Sequence, residues 1–237
     1  MECKISLIKF MVEGIIQLTV NGISIEQSKT IKLLGVTIDK DLMFSEHVDN
    51  ISKQASKQIN AMSRLSRYLN LSCKTKILDA FIMSNFNYCS ISYHHCKIKD
   101  ARRLENLLKL ALRFVYLDFE SSYNELLRKA QRNSLYVNRQ KTMLLGVFKI
   151  LHDMYPPIKC DFFTPHNTAY SLRRSHVLEQ PSFRTMRHGY HSLRYQGAML
   201  WNSLPDFIKT SDFNTFRGFI LKWQPICQCG SCILCTI

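Results

Sequence analysis

The chain has 237 residues, 46% hydrophobic and 21% charged, a balance that excludes a wholly disordered polypeptide and leaves room for one large domain or two small ones. Its 32 Lys and Arg against 18 Asp and Glu give a formal net charge of +14, which suits a polyanionic partner, either nucleic acid or an anionic membrane surface. The excess is concentrated: residues 51–150 carry 18 basic and 6 acidic side chains, whereas residues 1–50 carry 5 and 7.

At the amino terminus, Glu2, Lys4 and Lys9 interrupt the apolar residues of Met1–Val12. That pattern predicts no secretory leader, hence an intracellular protein, in nucleus or cytoplasm, whose nine cysteines stay reduced. Ile15–Val20 reads as a strand and Asn21-Gly22 as a hairpin turn, because both residues tolerate positive φ. Ile31–Ile38 is a further strand, and Asp39-Lys40-Asp41 a turn after it. Residues 12–44 are therefore expected to form a small β-hairpin or three-stranded remnant.

After Ser45 the apolar period lengthens from 2 to about 3.6. Val48, Ile51, Ala55, Ile59, Met62, Leu65 and Leu69 form one face of a helix capped by Ser45, and Lys53, Lys57, Arg64 and Arg67 lie opposite. Ser72 caps a second helix, to about Tyr93. Its Ile77–Tyr93 stretch contains Asp79, Asn85 and Asn87, so it predicts a buried helix and no membrane span. A third helix, from about Asp100 to Leu117, repeats the division: Ala101, Leu104, Leu107, Leu108, Ala111, Leu112 and Val115 inward, Arg102, Lys109 and Arg113, with Asn106, outward. Helices near Tyr123–Lys129 and Leu135–Met154 follow, and Tyr155-Pro156-Pro157 ends the block. Residues 156–192 are loop-rich, with arginines and histidines that include Arg173, Arg174, His176, Arg184 and His191. Ser192–Leu204 and Asp212–Trp223 close the series as short helices. The expected fold is mainly α: a helical bundle at 45–155, a loop-rich helical region at 156–224 and a Cys-rich tail at 225–237.

Chemistry is sparse. No phosphate-cradling glycine loop, nucleophile elbow or HExxH helix occurs. Asp39 and Asp41 read as turn chemistry, and Asp118 in Tyr116-Leu117-Asp118-Phe119 stands alone where two metal ions would need paired acids. Cys227, Cys229, Cys232 and Cys235 supply four thiolates within nine residues, either a Zn²⁺ site or a tail of unligated thiols. Cys89, His94, His95 and Cys96 either end a buried helix or form a second metal site. The two cationic helix faces, Lys53, Lys57, Arg64 and Arg67 on one and Arg102, Lys109 and Arg113 on the other, are either ordinary solvated faces or a phosphate-contacting surface. The near-absence of acidic residues from them favours phosphate contact that is sequence-independent and salt-sensitive.

Several segments, in order, resemble LINE-type (non-LTR) retrotransposon reverse transcriptases. Ile31-Lys32-Leu33-Leu34-Gly35-Val36-Thr37-Ile38-Asp39, with Leu42, Phe44 and His47, resembles the end of that family's palm. Arg103-Leu104-Glu105-Asn106 with Ala111-Leu112-Arg113 resembles the helix after its thumb. Ser122-Tyr123-Asn124-Glu125-Leu126-Leu127 and Gly197-Ala198-Met199-Leu200-Trp201-Asn202-Ser203-Leu204-Pro205 resemble two later elements. The resemblance implies a thumb-like bundle that grips a primer–template duplex of RNA or DNA, with 12–44 as the end of a palm. The family's polymerase uses Mg²⁺ held by an early aspartate and an Asp-Asp pair upstream of the Leu-Gly-Val strand, yet no aspartate precedes Asp39 here. The expectation is thus a truncated fragment without polymerase activity of its own and without a Mg²⁺ cofactor, unless a separate palm and fingers chain partners it. The alternative is a protein-interaction or functionless remnant of a retrotransposon reading frame.

Overall fold

The computed structural model describes residues 28–154, 162–165 and 177–225, together with the backbone of 18–20 and 23–25. The chain is mainly α and divides into two compact units between Arg132 and Asn133.

The first unit begins with two antiparallel hairpins. β1 (Leu18–Val20) pairs with β2 (Ile23–Ile25), Val20 opposite Ile23. The Asn21-Gly22 turn read from the sequence lies outside the described residues. β3 (Thr30–Leu33) pairs with β4 (Val36–Asp39), Leu33 opposite Val36. The single strand expected over 31–38 is thus folded in two. Leu34 and Gly35 turn it with φ of 47° and 85°, the left-handed pair that a two-residue hairpin requires. The Tyr88 hydroxyl donates to the Leu34 carbonyl and holds the turn down. Among the described residues each sheet has two strands, so no three-stranded sheet forms there.

The Asp39 carboxylate accepts the backbone N–H groups of Asp41, Met43 and Phe44, at 3.1, 3.0 and 2.6 Å. That is turn chemistry of the kind its position suggested. It sets up α1 (Ser45–Leu65), whose N-cap is Phe44 at φ 55°. Ser45, expected as the cap, is the first helical residue and donates instead to Asp100, 2.8 Å away. α2 (Leu71–Ile77) is capped by Asn70, not Ser72. The helix expected to run to Tyr93 becomes a π-helical segment at Leu78–Met83 and then α3 (Ser84–Asn87). The chain turns sharply at Cys89, φ 46°, while the Tyr93 hydroxyl donates to the Phe86 carbonyl at 2.5 Å. α4 (Ile98–Tyr116) lies along α1, and Val48, Ile51, Ala55, Ile59 and Met62 share the core with Leu104, Leu108, Ala111, Leu112 and Val115. α5 (Tyr123–Lys129) opens with a complete Ser122–Glu125 capping box.

The second unit is built on α6 (Leu135–Leu151). The sequence grouped this helix with 45–155. It belongs instead with the later helices, because its apolar face, Met143, Leu144, Val147 and Phe148, is completed by residues further along the chain. These lie on α7 (Leu193–Asn202), α8 (Asp206–Lys209), which the sequence did not suggest, and α9 (Phe213–Lys222). Ala198, Trp201, Ile208, Phe216 and Ile220 fill the core. Gly197 permits the close approach: a Cβ there would meet Val147 and Phe163 at 3.0 Å. The Asn202 amide both accepts from and donates to the backbone of Leu178, at 2.8 Å each way.

Candidate nucleic-acid interface

α1 and α4 run parallel, as two cross-links at equivalent steps show: Ser45 to Asp100 and Asp49 to Arg103. Asp49 stands at the seam. Its carboxylate takes Lys53 Nζ, one turn along α1, at 2.6 Å and Arg103 Nη1 of α4 at 2.7 Å. On a helix of 3.6 residues per turn, Asp49 is about 40° from Lys53 and about 60° from Arg64. The cationic stripe of α1 therefore adjoins α4 along the edge where Arg103 emerges.

Lys53 is 65% exposed despite its ion pair, and Lys57 and Arg64 are exposed on the same stripe. Arg67 is exposed too, but it stands in the turn beyond the end of α1. On α4, Arg102 is exposed, whereas Lys109 and Arg113 are half-buried. The Arg113 Nε is shielded from solvent and makes no hydrogen bond. Measured around α4 from Arg103, Arg113, Arg102 and Lys109 lie at about 80°, 100° and 120° to the same side, so the three share one outward stripe.

Beside the seam, α4 carries a shallow depression of about 450 Å³ lined by Lys99, Arg102, Arg103, Asn106, Leu107 and Leu110. Three cations share that furrow. Lys99 and Arg103 were not among the residues singled out for phosphate contact, although their spacing from Arg102 and Asn106 on one helix would have found them. The Asp49 carboxyl is firmly ionised: the hydrogen bonds from Lys53 and then Arg103 hold it below the usual carboxylate range. Exposed pairs of this kind contribute little to stability. Their effect is to hold Lys53 and Arg103 at one place on the surface.

Asp118 serves the fold. It accepts from the Ser121 N–H at 3.0 Å, the Ser121 hydroxyl at 2.7 Å and Lys129, tying the end of α4 to α5. The rings of His94 and His95 meet edge-on at 4.4 Å. Among the described residues no group of three or more His, Cys, Asp or Glu is placed to hold a metal ion. Cys227, Cys229, Cys232 and Cys235 lie outside the described residues, as do Arg173, Arg174 and His176. Among the described residues no helix is long and apolar enough to cross a membrane.

Comparison with protein-family models, with curated proteins and with solved structures returned no match.

Proposed function

We propose that this chain is a duplex-binding fragment akin to the carboxy-terminal part of a LINE-type reverse transcriptase, holding nucleic acid by its phosphates. The observation that carries the reading is the parallel α1–α4 pair, whose cationic surfaces adjoin at Asp49. Lys53, Lys57 and Arg64 along α1, with Lys99, Arg102 and Arg103 along α4, present charge at successive turns. Successive turns of one helix are about 5.4 Å apart, within reach of phosphates along one strand of a duplex. Contacts of this kind fix position without reading sequence. Lys109 and Arg113, half-buried, continue the Arg102 stripe along α4, and Arg67 stands beyond the end of α1. No polymerisation is assigned to these residues, since no carboxylate cluster accompanies the cations.

The test is duplex binding by fluorescence anisotropy, on RNA–DNA and DNA–DNA duplexes of several sequences. Roughly four phosphate contacts would weaken binding about 100-fold between ~50 and ~200 mM salt. The double substitution Lys57→Glu and Arg64→Glu should weaken all sequences alike and flatten the salt slope. Binding that is indifferent to salt, or unchanged in that variant, removes the basis of the reading.

A further inference from the structure

The second unit carries a cluster that the α1–α4 surface leaves unused. Phe183 precedes a π-helical turn at Met186–Tyr190, and Tyr190 and Tyr195 flank the start of α7. The three rings pack against one another: Phe183 to Tyr195 at 5.0 Å and 82°, Phe183 to Tyr190 at 5.6 Å and 64°, Tyr190 to Tyr195 at 5.1 Å and 43°. His191 stands edge-on to Tyr190 at 5.2 Å.

The backbone is arranged around these rings. A Cβ on Gly189 would fall 2.2 Å from the Cβ of Phe183, so the missing side chain is what lets Phe183 settle on the turn. The buried Gln196 amide donates to the Tyr190 carbonyl at 3.0 Å, and the Ser192 hydroxyl caps α7 by accepting the Tyr195 N–H at 3.2 Å. Yet the rings lie outside the core that Phe148, Trp201 and Phe216 form, and Phe183 is 39% exposed. Arg184 and Arg194 are exposed beside them. Between Val177 and Pro205 the sequence has three arginines and one carboxylate, Glu179.

We propose that this cluster is a stacking site for unpaired nucleotides. Phe183 stands edge-on to both tyrosines, which tilt at 43° to each other, and its exposed ring with the half-buried tyrosines offers aromatic surface to planar partners. Every base has a stacking face whatever the sequence. The flanking arginines complement the phosphates that accompany each base. An acidic peptide would satisfy the arginines but not the rings. A paired duplex keeps its bases stacked inside and cannot reach them. The site therefore takes single-stranded RNA or DNA, and it stands independently of the α1–α4 surface.

The discriminating probe is a labelled 20-mer of thymidylate against an abasic 20-mer of equal charge, titrated onto the full chain. Base stacking predicts that the thymidylate strand binds about tenfold tighter. Equal affinity would mean phosphate attraction alone and would overturn the proposal. Phe183→Ala should erase the preference and leave duplex affinity unchanged, while a preference that survives in folded protein counts against the cluster. Should that variant not fold, crosslinking of a bromodeoxyuridine strand to the unaltered chain decides: adducts on Tyr190 or Tyr195 support the site, and adducts confined to residues 45–116 refute it. Lys57→Glu with Arg64→Glu separates the two readings, because it should weaken duplex binding and leave the base-dependent preference intact.

Discussion

His47 sits beneath β4, where its Nδ1 accepts the Thr37 N–H at 3.4 Å and its ring meets Tyr93 edge-on at 5.5 Å. Its Nε2 is buried without a hydrogen-bond partner. A neutral imidazole that accepts at Nδ1 carries its proton on Nε2, and a second proton would place an uncompensated charge in the core. Burial accordingly pushes the His47 pKa below its ordinary value. In an unfolded chain the ring takes up a proton near pH ~6.5, while the folded chain resists it. The folded state thus binds fewer protons in that window, and stability falls as pH drops below ~6.5. Urea unfolding at pH 7.5, 6.5 and 5.5 should show this loss, reduced in His47→Gln. An identical pH dependence in the variant would mean that the ring is not responsible. Nothing local in the sequence marks His47 as buried polar. It falls on the same stripe as Val48 and Ile51, and only the hairpin packed over it makes the position a core one.

Among the elements, the β3–β4 hairpin shows how one residue redirects a segment. Ile31–Ile38 has the composition of a single strand, and the turn depends on Leu34 and Gly35 both accepting positive φ. Gly35→Ala would place a side chain in that conformation, at a strain of about 1–2 kcal/mol. The Tyr88 ring would lie 3.6 Å from the new methyl, an ordinary contact, so backbone strain is the whole of the expected cost. A loss of that size should appear in chemical denaturation, and a neutral result would show that the turn relaxes. The α-helices were more legible. α1, α4, α5, α7 and α9 follow from apolar period and caps to within a few residues, because an amphipathic face is written in consecutive sequence. The π-helical segment and the extended turns after Asn87 were not, because Phe86 and Tyr93 are drawn into a core built by other helices.

At the scale of the whole molecule, the decisive fact is that each unit owns a core. Leu104, Leu108 and Leu112 are buried in the first, and Phe148, Trp201 and Phe216 in the second. Phe216→Ala should remove about 3–5 kcal/mol from the second unit. Hydrogen exchange should then accelerate across α6, α7 and α9 and leave the amides of Leu104–Val115 protected. Uniform acceleration through both units would mean that the chain unfolds as one cooperative body.

The sequence by itself determined the mainly helical class, the identity of most helices, and the positive charge gathered on the outer faces of α1 and α4. These properties depend on local composition and spacing, which a one-dimensional reading sees directly. The tertiary structure decided which faces adjoin. Asp49 joins two cationic stripes more than fifty residues apart, Lys109 and Arg113 are half-buried, and α6 leaves the first helical block for the second. Each outcome depends on what packs against a face, and that partner lies far along the chain.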